Sequence, residues 1–296
     1  MLGRRRAAFF GAARDCAAHL PHVLQNLDRF AAAYDEASFH FVVSDCTDDS
    51  AAILQRWLAD GRRGHVIDLG PLATRLPKRT ERLAHVRNAG LEDIGRVGGQ
   101  AFDHLVIADL DDVLNSPMAA DGFFQAARWL DADPARAGVF ANARPRYYDV
   151  WALRHDRWCP HDVWHAIWGR AEGESFEAAK FREVFARQIE VPANAPPIEV
   201  RSAFGGLGVY RMSAALGAHY DGIDAQGREV SEHVAFNAAI GRRGGRLHIF
   251  PALQVQAPRQ HLYQPEEFKL PWRMVMMGRR MVEIRRPPWR NLVGSP

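Results

Sequence analysis

One stretch of the sequence predicts the fold: Val106-Ile107-Ala108-Asp109-Leu110-Asp111-Asp112-Val113-Leu114. An apolar segment that runs into three carboxylates within four positions is typical of a buried strand that delivers acids to a sheet edge. Carboxylates this close repel one another unless a cation or a basic ligand lies among them. Oxygen ligands favour a hard ion such as Mg²⁺ or Mn²⁺. The stretch therefore predicts a metal site, and the alternative is a solvated, Asp-rich turn.

The segments before this strand alternate between strand and helix patterns. Apolar strand patterns cover residues 6–12, 39–43, 65–69 and 102–108, and helical periodicity covers residues 15–33, 53–58 and 79–97. This βαβαβαβ order predicts a parallel or mostly parallel sheet. Ligands of such sheets gather beyond the carboxyl ends of the strands, where Asp45 and Asp109 are expected to lie. One sheet edge is therefore expected to hold a nucleotide and a metal ion together.

Length and composition are those of an ordinary globular protein. The 296 residues are 47% hydrophobic, and the formal net charge is +3, so one large core is expected. The three cysteines show no C-x-x-C spacing, which argues against a disulfide framework or zinc ribbon and favours a reducing, cytoplasmic location. No run of about 18 apolar residues occurs, so any membrane contact is expected to be peripheral. The arginines are dispersed, so nucleic-acid binding is not expected.

Several separate segments carry the motifs of a known fold family. Residues 9–14 (FFGAAR) resemble its opening strand, residues 42–50 (VVSDCTDDS) its D-x-S-x-D-x-T turn, and residues 79–88 (RTERLAHVRN) its R-x-x-x-L-A-x-x-R-N segment. Residues 109–112 stand where its metal-binding D-x-D belongs. These motifs resemble the GT-A fold nucleotide-sugar glycosyltransferases over most of the chain. The resemblance implies a single α/β domain of Rossmann-like, nucleotide-diphospho-sugar transferase type, with a mixed sheet flanked by helices.

Later motifs are most similar to one branch of that superfamily. Residues 147–154 (YYDVWALR) resemble a Y-D-x-W-x-x-R segment, residues 202–210 (SAFGGLGVY) an S-x-x-G-G acceptor-side strand, and residues 231–236 (SEHVAF) an acidic C-terminal motif. This set resembles the capsule-associated α-1,3-mannosyltransferases and their bacterial relatives. The likeness implies an α-linked product, although the fold itself is compatible with retaining and inverting enzymes.

The resemblance also implies roles for individual residues. The implied metal ligands are Asp111 with Asp109, Asp112 and His261. The implied donor-binding residues are Ala13, Arg14, Asp45, Arg79, Arg82, Asn88 and Asp109. The implied acceptor-binding residues are Tyr147, Tyr148, Asp149, Trp151, Gly205 and Gly206. A metal ion would neutralise the diphosphate leaving group as a Lewis acid. Three arginines before the acidic strand, Arg79, Arg82 and Arg87, would add fixed positive charge.

Two neighbouring residues compete for the role of general base. Glu232 begins a predicted helix over residues 232–240, where a carboxylate is stabilised by the helix N-terminus. His233 has the intrinsic pKa better suited to removing a proton near neutral pH. The family pattern favours Glu232, and the choice stays open at this point.

The expected activity is transfer of a hexose, such as mannose, from a GDP- or UDP-sugar to a glycan or lipid-linked saccharide, with Mn²⁺ or Mg²⁺. Residues 1–115 would form the nucleotide-sugar half and residues 116–265 the acceptor half of one domain. Residues 266–296 mix apolar residues with arginines, so they form either a packed terminal helix or a basic amphipathic tail that docks on an anionic inner-membrane surface.

Three other functions are compatible with parts of the pattern. Residues 109–113 also resemble the D-x-D-x-[TV] loop of haloacid-dehalogenase-like phosphatases, with Asp109 as nucleophile, but three predicted strands precede it and no later G-D-G-x-x-D pair follows. A sugar-nucleotide-forming nucleotidyltransferase shares the sheet and the metal, but its Gly-rich opening loop is missing. A non-catalytic carbohydrate- or nucleotide-binding module would keep the fold without the reaction.

Overall fold

The computed structural model describes residues 5–264 and 288–292. Its eight strands are β1 (Arg6–Ala13), β2 (Glu36–Val43), β3 (Arg63–Asp68), β4 (His104–Asp109), β5 (Arg136–Arg144), β6 (Ile198–Val200), β7 (Leu207–Arg211) and β8 (Arg246–Gln256). The helices are α1 (Leu20–Ala31), α2 (Ser50–Ala59), α3 (Arg79–Arg96), α4 (Ala120–Asp131), α5 (Val163–Trp168), α6 (Phe176–Glu183), α7 (Met212–Ala215) and α8 (Glu232–Arg242). All eight strands belong to one sheet, in the order β3-β2-β1-β4-β7-β5-β8-β6.

The first four strands form the parallel half of the sheet. Strand β1 pairs in parallel with β2 and β4, and β2 pairs in parallel with β3, which confirms the predicted alternation. Ala12 is paired with Asp109 and Ala13 with Val43. The carboxyl ends of β1, β2 and β4 therefore meet at one edge, as expected for a parallel arrangement.

The second half of the sheet is mixed. Strand β7 runs antiparallel to both β4 and β5, β8 is parallel to β5, and β6 is an antiparallel edge strand. The strand predicted over residues 202–210 begins only at Leu207, because Gly205 and Gly206 have φ of +71° and +88°. Glycine takes such left-handed values without the steric cost of a Cβ. The two glycines thus form the turn that feeds β7 into the sheet beside β4.

Both faces of the sheet are buried. Along β1, Ala8 and Phe10 lie in the core under α3 and α8, whereas Ala7 and Phe9 lie in the core under α1 and α4. Successive side chains of a strand point to opposite faces, so a strand covered on both sides needs a continuous apolar run. This explains why β1, β2 and β4 are largely apolar runs, whereas β3 at the edge of the sheet has no fully buried residue.

One helix begins later than predicted, and most of the predicted tail lies outside the described residues. Helix α1 begins at Leu20 rather than residue 15, because Asp15 has a positive φ of 47° and Pro21 occupies the first turn. Residues 266–287 and 293–296 of the predicted tail are outside the part that the structure describes. In the described segment 288–292, the carbonyl of Asn291 accepts a hydrogen bond from Nη1 of Arg157 at 2.8 Å. Among the described residues, no helix combines the length and apolar character needed to cross a bilayer.

Candidate active site

A cavity of about 1210 Å³ opens where the carboxyl ends of β1, β2 and β4 meet. Most of the residues singled out in the sequence line it: Ala13, Arg14, Asp45, Arg79, Arg82, Asp109, Asp111, Tyr148, Asp149, Trp151, Glu232, His233 and His261. They come from both halves of the sheet. The predicted donor, metal, acceptor and base residues thus largely share one cavity.

Arg87 of α3 joins the acidic cluster to the predicted base. Its Nε donates to Oε1 of Glu232 at 2.8 Å and its Nη2 donates to Oδ1 of Asp109 at 3.0 Å. The Arg87 side chain is 4% exposed, and its guanidinium also lies against the rings of Phe204 and Tyr220. Burial disfavours its charge, but the carboxylates of Asp109 and Glu232 outweigh that effect and raise the pKa of Arg87. A permanent cation therefore connects two acids of the cavity.

The acids at the end of β4 are held in a strained electrostatic state. Burial raises the pKa of Asp109, although Arg87 opposes the shift. The Asp111 carboxyl is open to the cavity, yet lost hydration and the charge of Asp109 raise its pKa to about 7. Both shifts mean that Arg87 leaves part of the negative charge uncompensated. A divalent cation placed at these oxygens would relieve that repulsion.

The donor chemistry of this cluster fits Mn²⁺ or Mg²⁺. Desolvation lowers the pKa of His261, so its imidazole is neutral, as a metal ligand must be. Across the described residues, the triplets of acid, histidine or cysteine ligand atoms lying within 4.8 Å of one another do not include Asp109, Asp111, Asp112 or His261. Such ions are commonly held by one or two carboxylates together with substrate phosphates and water. The four residues are therefore not a complete protein cage.

Glu232 and His233 occupy different environments although they are adjacent. Glu232 lines the cavity and its hydrogen bond to Arg87 uses Oε1. His233 stacks on Phe204 with ring centroids 3.9 Å apart, and neither of its ring nitrogens has a hydrogen-bond partner among the described residues. Burial and the charge of Arg87 lower the pKa of His233 well below its usual value. The imidazole is therefore neutral near pH 7 and a weak proton acceptor.

The predicted donor residues divide into two groups. Asp45 has a φ of +52°, and its Oδ1 accepts a hydrogen bond from the amide of Ala73 at 3.0 Å beside the cavity. Arg79 and Arg82 line the cavity from the first turns of α3. Asn88 is not part of the lining; its amide group bonds the backbone N–H and C=O of Tyr220. That residue orders the segment after α7.

The predicted acceptor residues also divide. Tyr148 lines the cavity and stacks on His261 with ring centroids 5.7 Å apart. Tyr147 is fully buried against Trp158 and lies outside the lining. Asp149 accepts a hydrogen bond from the amide of Gly205 at 2.9 Å, and burial raises its pKa to about 6.

The two glycines shape the cavity floor from behind. The carbonyl of Gly206 accepts a hydrogen bond from the amide of Asp109 at 2.8 Å. A Cβ at Gly206 would lie 2.4 Å from Cγ1 of Val113, which follows the acidic cluster. Glycine is thus required by close packing as well as by backbone conformation, so this pair positions Asp109 instead of facing the cavity.

The sequence indicated that Arg87 adds positive charge to the site, but it predicted neither its burial nor its bridge between Asp109 and Glu232. Arg87 lies four residues after Leu83 and three before Gly90, on the apolar face of α3, and that spacing was the available signal for its burial. A position for Trp168 in the site was also not predicted. Trp168 at the end of α5 lines the cavity and remains 67% exposed. Trp164 and Trp151 continue this aromatic wall inward.

The fold is similar to those of solved glycosyltransferase structures. It is similar to the mannosyltransferase PcManGT from Pyrobaculum calidifontis, solved with GDP-Man and Mn²⁺, with 18% identity, a TM-score of 0.53 and coverage of 87% of this chain and 58% of that one. It is also similar to GalNAc-T7, solved with UDP, GalNAc and Mn²⁺, with 12% identity, a TM-score of 0.50 and coverage of 88% and 44%. The fold is that of the GT-A glycosyltransferases, and this chain spans about half the length of these neighbours.

Sequence comparisons add nothing to this result. No model of a protein family matches the chain, and no curated protein matches it.

Proposed function

We propose that this protein is a metal-dependent glycosyltransferase that moves a hexose from a nucleotide-diphosphate sugar to a saccharide. The observation that carries the proposal is the Arg87 bridge, which ties Asp109 of the D-x-D cluster to Glu232 inside one cavity of a GT-A fold. Group transfer needs a neutralised leaving group and a positioned acceptor. The cavity offers residues for both tasks.

The donor is assigned to the wall built by residues 1–115 and the acceptor to the wall built by residues 116–265. Asp45 would contact the base or ribose, and Arg79 and Arg82 would add positive charge near the diphosphate. A bound Mn²⁺ or Mg²⁺, held by Asp111 with Asp109, Asp112 and His261, would supply Lewis-acid stabilisation of the departing diphosphate. The lining of the cavity from both halves supports this division.

Glu232 is the residue we assign as general base. Its Oε1 is engaged by Arg87, which leaves Oε2 to accept the proton of the acceptor hydroxyl. The ion pair fixes the carboxylate in place, and pre-positioning of a base lowers the barrier to proton transfer. His233 is less suited because its pKa is depressed by burial.

The finer assignments rest on similarity and on sequence motifs. The resemblance to capsule-associated α-1,3-mannosyltransferases, together with a structural neighbour solved with GDP-Man, supports GDP-mannose as donor. A glycan or lipid-linked saccharide is the proposed acceptor, with the Tyr148 and Trp151 wall as its binding surface. The protein would act in the cytoplasm, with peripheral contact to the anionic inner-membrane surface through the basic tail.

The test is a panel of GDP- and UDP-hexoses assayed for transfer and donor hydrolysis with and without Mn²⁺. We expect turnover of one donor class that needs Mn²⁺ and is lost in Asp111→Asn. Asp121→Asn, the same change at an exposed aspartate of α4, is the matched control and should keep activity. Nucleotide-sugar binding without turnover would instead support a binding module. A phosphoenzyme trapped at Asp109 would support a phosphatase and overturn the proposal.

A further inference from the structure

A second group of metal-type ligands lies away from the cavity, between β2, β3 and α3. His40 of β2 and His65 of β3 are directly paired in the parallel register. Nδ1 of His40 lies 2.6 Å and Nδ1 of His65 lies 3.2 Å from the same oxygen, Oδ2 of Asp93 on α3. These ligand atoms from three separate elements all lie within 4.8 Å of one another.

We propose that His40, His65 and Asp93 form a zinc site with one position open to water. Two imidazoles and a carboxylate are a ligand set that Zn²⁺ uses when its fourth position is left to water. The mixed nitrogen and oxygen set is unsuited to Mg²⁺ or Ca²⁺, which take oxygen ligands. The site is independent of the proposed glycosyl transfer, since none of its three ligands lines the cavity.

His40 already has a partner that orients its ring for a metal. Its Nε2 lies 2.9 Å from Oγ of Ser38, and the residue is almost fully buried. When Nδ1 binds the ion, Nε2 carries the proton and donates a hydrogen bond to Oγ of Ser38. Metal-ligating histidines commonly fix their tautomer and orientation through such a second contact.

His65 opens the site to solvent. Its side chain is 54% exposed, whereas that of Asp93 is 12% exposed. An ion can therefore enter from the His65 side, and water can occupy the remaining position. A tetrahedral zinc ion with bonds of about 2.0–2.1 Å spaces its ligand atoms by about 3.3 Å. The His65–Asp93 contact of 3.2 Å already has this spacing, and the His40–Asp93 contact must open slightly.

The other triplet of this kind among the described residues, Asp15, Cys46 and Asp48, is a weaker candidate. Asp15 accepts hydrogen bonds from the amide and hydroxyl of Thr47, and Asp48 accepts them from Ala17 and Ser50. Burial also raises the pKa of the Cys46 thiol, which keeps it protonated. Its ligand atoms are thus occupied by the loop itself.

A zinc ion at His40, His65 and Asp93 would fasten α3 to the edge of the sheet. Helix α3 also carries Arg79, Arg82 and Arg87 to the cavity. Binding to the folded protein alone stabilises it by mass action. The ion would therefore raise the melting temperature of the protein.

The experiment is a calorimetric titration of the EDTA-stripped full chain with ZnCl₂, paired with melting curves and Co²⁺ absorption. The chain carries Asp111→Asn throughout, which removes one of the proposed metal ligands of the cavity and so weakens zinc binding there. We expect one equivalent of Zn²⁺ to bind, Tm to rise, and Co²⁺ to give tetrahedral visible bands. His65→Ala and Asp93→Asn should abolish all three signals. Ser38→Ala should weaken the affinity about 10-fold.

Two variants control for zinc binding elsewhere. His85→Ala removes an exposed histidine of α3, the helix that carries Asp93, and Cys46→Ser removes a ligand of the Asp15, Cys46 and Asp48 triplet. Both should bind zinc as the parent does. His65→Ala should fold, because its side chain is half-exposed, and its metal-free melting curve checks this. The proposal is overturned if the parent does not bind zinc, or if binding survives in His65→Ala and Asp93→Asn.

Discussion

Nε of Arg87 lies 2.8 Å from Oε1 of Glu232, and this contact joins residues 145 positions apart in the chain. Both side chains are buried, with 4% and 6% of their surface exposed. The same guanidinium reaches Asp109. The acid at the end of β4 and the acid at the start of α8 therefore share one cation, and the position of each depends on it.

Removal of this cation should destabilise the protein strongly. In Arg87→Met, the buried carboxylate of Glu232 and the partly buried carboxylate of Asp109 lose their common partner, and the loss of a partner for a buried charge costs about 3–5 kcal/mol. Urea denaturation measures the free energy of unfolding. Arg96→Met is the matched control on α3, because its pair with Glu92 is exposed and exposed pairs contribute about 0–1 kcal/mol. Equal losses in the two variants would contradict a special role for Arg87.

The Asp111 carboxyl should make the metal-free protein less stable as pH rises. Its pKa is raised from 3.8 to about 7, so the folded state holds this proton more tightly than the unfolded chain. The loss of stability caused by ionising Asp111 is absent below the pKa of the unfolded chain, 3.8. It grows between that pKa and the folded pKa and is complete above about pH 7. We expect Asp111→Asn to raise the free energy of unfolding at pH 8, with a gain that shrinks as pH falls.

Urea denaturation in EDTA at several pH values tests this, with Asp121→Asn as the control. Mn²⁺ should reverse the order, because the ion stabilises the ionised carboxylate only in the wild type. A gain that is the same at every pH would show that Asp111 is not under electrostatic strain.

Alanine substitutions at Gly206 and Gly244 should distinguish the cost of close packing from the cost of backbone strain. Both have positive φ, +88° and +85°, but a Cβ would meet Val113 at Gly206 and nothing within 4 Å at Gly244. Gly244→Ala should cost about 1–2 kcal/mol from conformation alone. Gly206→Ala should cost more and weaken Mn²⁺ binding, because it displaces the segment bonded to Asp109. Thermal melts and calorimetry measure both effects, and similar stability losses would argue against the packing role.

Trp168 should contribute to acceptor binding with little effect on stability. It is 67% exposed at the cavity wall and packs on Phe176. Loss of about 1 kcal/mol of ring contact raises the acceptor KM several-fold. Trp168→Ala should therefore impair transfer to a panel of methyl glycosides and oligosaccharides while donor hydrolysis is unchanged. Val97→Ala, at another exposed apolar residue, is the control. If Trp168→Ala lost donor hydrolysis together with transfer, a role for Trp168 in acceptor binding alone would be contradicted.

The parallel half of the fold could be predicted because its signals are local. Strands β1, β2 and β4 are largely apolar runs buried on both faces, and α3 has its own periodicity and length. The order β7-β5-β8-β6 was not predictable, because it depends on antiparallel pairing between distant segments and on the left-handed turn at Gly205 and Gly206. Local pattern carries no information about which distant strand becomes a neighbour.

For the candidate site, the sequence by itself determined which chemical groups are present and that a strand delivers three acids to a sheet edge, because side-chain periodicity and motif spacing are properties of neighbouring residues. Only the tertiary structure decided that Arg87 is buried between Asp109 and Glu232, that His233 is a neutral ring on Phe204, and that Asn88 bonds Tyr220 and is not part of the cavity lining. Charge pairing and desolvation depend on distance in space, and the folded chain alone sets that distance.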